Sequence, residues 1–146
     1  MSGFERRALQ VAVAIGSLVP IGAGAAGVLL GPAMMGLGAG GSADLEGHFR
    51  YLSGLLLAIG IGYVSTIPSI EKRGGRFRLL TGIVVVGGAG RLLSALAMWP
   101  PTPVMLGALV MELIVTPSLA FWQHRVARLE SRRRTTSGTE PGFPVP

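Results

Sequence analysis

The apolar residues of this chain are gathered into four long blocks instead of being spread at regular spacing. The blocks cover residues 8–30, 49–68, 77–99 and 104–123. A helix that crosses a bilayer needs about 20 mainly apolar residues, so each block is long enough. A soluble amphipathic helix would instead present a polar face every 3.6 residues. The pattern therefore predicts an all-α, four-helix transmembrane bundle with antiparallel, up-down helices.

The predicted boundaries follow from these blocks and from the residues around them. We expect a four-helix membrane domain over residues 1–128, with helices at about 8–30, 46–67, 77–98 and 104–124. Residues 129–146 are charged and then rich in Ser, Thr, Gly and Pro, which predicts a disordered cytoplasmic tail. Pro68 suits the end of the second helix, because proline cannot continue a helical hydrogen-bond ladder.

The composition supports a membrane protein. Only 14% of the residues are charged and 49% are hydrophobic, whereas soluble domains carry about 25% charged residues. The mean hydropathy is +0.57. The chain has no cysteine, which excludes disulfides, thiol nucleophiles and dithiol redox chemistry.

The net charge of +6 is explained by where the basic residues lie. With both termini in the cytoplasm, every basic residue except Arg50 and Arg91 falls in a cytoplasmic segment. These residues are Arg6, Arg7, Lys72, Arg73, Arg76, Arg78, Arg125, Arg128, Arg132, Arg133 and Arg134. Such asymmetry is the positive-inside signature. It predicts anionic lipid headgroups, not nucleic acid, as partners.

An alternative for the first block is a cleaved signal peptide. Arg6 and Arg7 precede an apolar run, and the small residues Ala23–Ala25 resemble a cleavage site. The apolar run continues to Leu30 and reaches full spanning length. We therefore expect a retained first helix.

Small residues predict close helix contacts. Gly27 and Gly31 form a GxxxG pair. Gly54, Ala58 and Gly62 form a stripe of small residues at four-residue spacing on the second helix. At the start of that helix, Asp44 is the expected N-cap. Glu46 and Arg50 stand one turn apart and are expected to pair.

Arg91 and Glu112 are the most informative residues, because they lie inside spanning blocks. An ionisable residue in hydrocarbon costs about 2.5–3.5 kcal/mol on insertion scales. Arg91 lies eight residues before Trp99, and Glu112 lies eight residues after Val104. Both are thus about 12 Å from the short turn that joins their helices. We expect one ion pair between neighbouring antiparallel helices.

The residues that share these faces complete the candidate site. Arg91 shares a face with Val84, Gly87, Gly88, Ser94, Ala95 and Met98, a thin surface against which a neighbour can pack closely. Pro117, five residues after Glu112, is expected to free the carbonyl of Leu113. The candidates for ligand binding or ion pairing are Arg91, Glu112, Arg50, His48, Tyr51, Ser94 and Thr116.

Metal, cofactor and catalytic sites are not predicted. His48 and His124 belong near opposite membrane faces and cannot share one metal or haem. No second intramembrane carboxylate and no serine beside a histidine base are present. The glycine clusters 38–41 and 87–90 lack the lysine and strand–helix setting of a phosphate loop.

Several segments join polar residues to fixed helix positions: 48–57, 67–71 and 87–93, Glu112-Leu113, and Pro117 with Trp122-Gln123. These segments resemble one known family, the bacterial membrane proteins of the domain of unknown function 4345 family. The resemblance covers about residues 6–128 and leaves out the tail. It implies four-helix inner-membrane architecture and carries no established activity.

Two functions remain open at this point. The first is a non-enzymatic structural or accessory membrane component held together by small-residue faces and the Arg91–Glu112 pair. The second is a dimeric transporter or binder of small molecules or lipids, with an anionic ligand bridging Arg50 and Arg91. Because Glu112 already has a cationic partner, exchange of a proton for a cation is disfavoured. A lipid or quinone enzyme would need a nucleophile or base that the sequence does not offer.

Overall fold

A computed structural model describes residues 2–36 and 42–137, and within these ranges the fold is all-α. The helices are α1 (Ser2–Leu30), α2 (Ala43–Val64), α3 (Gly74–Ala97), α4 (Pro103–Val110) and α5 (Thr116–Ser137). A π-helical turn, Met111–Val115, joins α4 to α5, and 3₁₀ turns cover Gly31–Met35 and Ile67–Ser69.

Four helical segments of the described residues are long and apolar enough to cross a membrane. They are Gly3–Met35, Ala43–Ser69, Gly74–Ala97 and Pro103–Arg132, and the last is called the fourth span below. Large apolar side chains such as Phe121, Val86 and Leu93 are 70–75% exposed along them. Lipid is the solvent in which such surfaces are stable, because exposed apolar patches of this extent are rare in soluble monomers.

The predicted helices are present, and their ends differ where capping decides them. Ser42, not Asp44, is the N-cap of α2, because its hydroxyl accepts a hydrogen bond from the Leu45 N–H at 3.2 Å. The predicted Asp44 cap was therefore wrong, and Asp44 lies in the first turn. Because of this cap, α2 begins at Ala43 instead of residue 46. It ends at Val64, three residues before the predicted end at residue 67.

The fourth span is also longer than expected. Helix α5 continues to Ser137, beyond the predicted end at residue 124 and into the segment expected to be a tail. Residues 124–137 contain neither Gly nor Pro and are rich in Arg, a good helix former. The prediction of disorder for 138–146 lies outside the described residues.

Contacts divide the chain into two compact units, one formed by Gln10–Pro68 and one by Met1–Leu9 with Ser69–Pro146. They are called the 10–68 unit and the 69–146 unit. In the 10–68 unit, a Cβ on Gly24 would lie 2.5 Å from the Leu57 nitrogen, and one on Gly60 would lie 2.7 Å from Ile21. Glycine at both positions lets α1 and α2 approach closely.

The close contact of this unit uses a different face of α2 from the predicted stripe. Gly27 faces Ser53, and Ser53 and Gly60 are buried. Ala58, in the middle of the predicted stripe, is exposed. The closest contacts of the unit lie about one residue, or 100° around the helix, from the predicted stripe, although a Cβ on Gly54 would still lie 3.9 Å from Val28.

In the 69–146 unit, α3 packs against the fourth span. Gly74 lies beside Gln123, and Gly88 lies beside Glu112 and Leu113. The contacts thus move backward along the fourth span as they advance along α3, which is antiparallel order. Phe77 and Ile70 are fully buried at the Gly74 end.

Candidate functional site

Arg91 and Glu112 form a two-point ion pair in the 69–146 unit. Arg91 Nε lies 3.0 Å from Glu112 Oε2, and Arg91 Nη2 lies 3.0 Å from Glu112 Oε1. A guanidinium and a carboxylate fit this geometry because both are planar forks. The depth match that was counted from the turn is therefore present in the fold.

Gly88 makes room for this pair. A Cβ on Gly88 would lie 2.9 Å from the Glu112 Cβ and 2.8 Å from Leu113 Cδ2. A Cβ on Gly87 would meet nothing within 4 Å. The thin face of α3 is thus divided: Gly88 and Ala95 are buried, whereas Gly87 and Ser94 are exposed.

Glu112 stands in the π-helical turn. The Thr116 N–H bonds the Met111 carbonyl, five residues back, and the Thr116 hydroxyl donates to the same carbonyl at 2.7 Å. Pro117 has no N–H, so the α-helical bond to the Leu113 carbonyl cannot form. The change to wider spacing comes directly before that proline. Single π turns of this kind frequently mark functional sites.

The pair is buried unevenly. The Glu112 side chain is 18% exposed and the Arg91 side chain 41% exposed. Within the described residues, the hydrogen bonds of Arg91 all go to Glu112, from Nε and Nη2. Nη1, on the opposite edge of the guanidinium, therefore makes no hydrogen bond to a described residue.

Arg50 is occupied within the 10–68 unit. It pairs with Glu46 at 2.8 Å, as expected, and donates to the carbonyls of Val28 and Leu29 at the end of α1. A cation at the last carbonyls of a helix is favourable because these carry partial negative charge. This contact explains Arg50 without a ligand.

The other predicted candidates have less specific surroundings. His48 and Tyr51 are exposed on α2, and Ser94 is exposed on α3. Thr116 is half-buried at the start of α5, directly after the π turn. A ligand role for any of these residues stays a prediction. Among the described residues, no group of His, Cys, Asp and Glu has the arrangement of a metal site.

A second cluster of polar side chains, which the sequence analysis did not identify, lies at the end of the 69–146 unit away from the Arg91–Glu112 pair. We call it the Glu71 cluster, and it contains Glu5, Arg6, Ile70, Glu71, Gln123 and Arg125. Gln123 is 1% exposed and donates to the Ile70 carbonyl at 2.8 Å. The Glu71 side chain is 7% exposed and lies 3.2 Å from Arg6. Arg125 contacts Glu5 at 3.4 Å.

A signal for this cluster does exist in the sequence. Glu5 and Glu71 are acidic residues inside otherwise basic segments, and Gln123 is an amide near the end of an apolar block. The positive-inside rule counts only Lys and Arg, so a topology argument passes over acidic residues and amides in the same segments.

Four helices long and apolar enough to cross a membrane, with an ion pair between the third and fourth, are the pattern of a multi-pass helical membrane protein. The chain belongs to the family described as Domain of unknown function (DUF4345), whose model matches residues 8–123. No curated protein and no solved structure matches the chain. The chemistry of the site must therefore be argued from its own residues.

Gly88→Ala should destabilise the protein, whereas Gly87→Ala should not. The new methyl at position 88 would overlap Glu112 and Leu113, and overpacking costs about 1–3 kcal/mol. Thermal unfolding of both purified variants in detergent tests this. Equal unfolding temperatures for the two variants would contradict the close approach at Gly88.

Glu71→Gln should cost more stability than Arg125→Gln. Glu71 is buried beside Arg6, whereas the Arg125 side chain is 64% exposed. Glu71→Gln removes a largely buried carboxylate from its ion pair with Arg6, and with Arg6 partly exposed we expect a cost of about 1–3 kcal/mol. An exposed pair contributes about 0–1 kcal/mol. Denaturant unfolding of the two variants measures the difference, and the opposite ranking would refute it.

Proposed function

We propose that this chain is a small inner-membrane protein with a non-enzymatic, structural or accessory role, in which the Arg91–Glu112 pair holds the third and fourth spans in one register. The two-point contact carries this proposal. A shift of either helix by one residue along its axis would separate the two charges and leave both in hydrocarbon, which solvates charges poorly. The pair thus selects one packing among the many that apolar helices allow.

The same proposal includes an orientation. Both chain ends face the cytoplasm, where the basic segments meet anionic headgroups at about 1 kcal/mol per residue near the surface. The segments supply Lys72, Arg73, Arg76, Arg78, Arg125 and Arg128. Arg50 and Arg91, the two exceptions, both have acidic partners in the structure.

The experiment that tests the structural role is a charge exchange. Arg91→Glu and Glu112→Arg should each place two like charges side by side and lower the unfolding temperature and the membrane-inserted yield. The double variant restores opposite charges and should recover at least half of each loss. Arg128→Glu, the same charge change on an exposed residue, is the control and should unfold like wild type.

A double variant no more stable than the worse single variant would refute the register role. Membrane yield, measured in the same preparations, separates failed insertion from failed packing.

One observation supports a second candidate function, a dimeric binder or transporter of small molecules or lipids with a polar site in the outer leaflet. Arg91 uses one edge of its guanidinium on Glu112 and remains 41% exposed. A ligand oxygen can accept from the outer edge without breaking the pair. The π turn at Glu112 adds to this argument, since π turns recur at functional sites.

The binding candidate predicts that an anionic amphiphile stabilises the protein. Octyl phosphate should raise the unfolding temperature, and octanol should not, because the added hydrogen bonds need a charged acceptor. The stabilisation should fall in Arg91→Ala with Glu112→Ala, which leaves no unmatched charge behind. An undiminished stabilisation in this double variant, or a monomer at every ligand concentration, would rule out this candidate.

A further inference from the structure

A shallow groove runs along one face of α3 in the 69–146 unit. It has a volume of about 480 Å³ and is lined by Arg78, Leu79, Gly82, Ile83 and Val86. These positions are spaced by three or four residues, or by one, so they share one side of the helix. From Arg78 to Val86 the groove extends about 12 Å along the helix axis.

Gly82 creates the groove because it has no side chain between its apolar neighbours. A Cβ at position 82 would meet nothing within 4 Å. Leu79 and Val86 on either side are 65% and 73% exposed, and Ile83 is 47% exposed. The groove is thus open along its length and apolar except at one end.

Arg78 supplies that polar end. It is exposed and lies in the second turn of α3, which begins at Gly74. The free N–H groups of the first helical turn add partial positive charge at the same end. An exposed cation at one end of an open apolar groove is complementary to a phosphate that carries an acyl chain.

We propose that this groove binds one anionic phospholipid, with its phosphate on Arg78 and an acyl chain along Gly82 to Val86. The site rests on the proposed orientation, which puts the start of α3 in the cytoplasmic leaflet. A zwitterionic lipid brings its own cation to Arg78 and gains less. A second copy of the chain, laid on the same face, would cover Arg78 with an identical arginine and supply no counter-charge.

The test is lipid binding to the purified full chain by native mass spectrometry. Phosphatidylglycerol and phosphatidylcholine with identical acyl chains are titrated separately. Wild type should bind phosphatidylglycerol about fivefold more tightly, the preference expected for one basic residue near a phosphate. Arg78→Gln should remove most of that preference, whereas Arg7→Gln, an exposed arginine outside the groove and outside the proposed headgroup set, should keep it.

A glycine pair tests the apolar part of the groove. Gly82→Leu should fill the channel and weaken phosphatidylglycerol binding about fivefold. Gly87→Leu is the matched control, because position 87 is equally open but lies outside the groove. Thermal unfolding of both variants checks that each is folded, and Arg78→Gln tests the site independently of either.

Equal affinity of wild type for the two lipids, or an unchanged preference in Arg78→Gln, would overturn the proposal. A wild-type dimer that Gly82→Leu converts to a monomer, with lipid binding unchanged, would also overturn it. The groove would then be a contact between two copies of the chain. If the preference is absent while the Arg91–Glu112 charge exchange still restores stability, the lipid site fails and the register role stands.

Discussion

The ion pair between Arg91 and Glu112 is the constraint on which the packing of α3 and the fourth span depends. Lipid gives apolar helices no reason to prefer one another, so register must come from close packing and from polar contacts. Here both act at one place. The 3.0 Å contacts fix the depth of each helix, and Gly88 fixes the distance between them. A larger residue at position 88 would separate the two backbones at the point where the guanidinium has to reach the carboxylate.

The 10–68 unit solves the same problem with other residues. Gly24 and Gly60 bring α1 and α2 together, and Arg50 binds the carbonyls at the end of α1. At the other end, Gln10 donates to the Ile67 carbonyl at 2.7 Å, much as Gln123 binds Ile70 in the 69–146 unit. Each unit thus combines a glycine contact within the span with a side chain that satisfies loop carbonyls at its end. Backbone groups near hydrocarbon need such partners.

Much of this was accessible from the sequence, and the reasons for the misses are physical. Block length predicts the four spans, and counting from the turn predicts the depth of Arg91 and Glu112, because helical rise is constant. The rotation of a helix about its own axis is harder to predict from sequence. Gly87 and Gly88 of α3 differ by only 100° around the axis, and the sequence pattern alone assigned both to the face that contacts the fourth span. The same difficulty put the α2 stripe one residue out of phase. The Ser42 cap and the π turn depend on local hydrogen bonds, and Glu71 was hidden by the basic residues around it.

The uneven burial of the pair decides how its two candidate roles relate. A pair that served only as a clamp would gain by burying both partners, since every exposed N–H in hydrocarbon lacks an acceptor. Glu112 is 18% exposed, whereas Arg91 is 41% exposed. The carboxylate holds the guanidinium in place by hydrogen bonds to one edge and so leaves the other edge in a fixed orientation. Register and binding are therefore not competing uses of this site, because the contact that fixes the helices also presents the donors that a ligand oxygen would need.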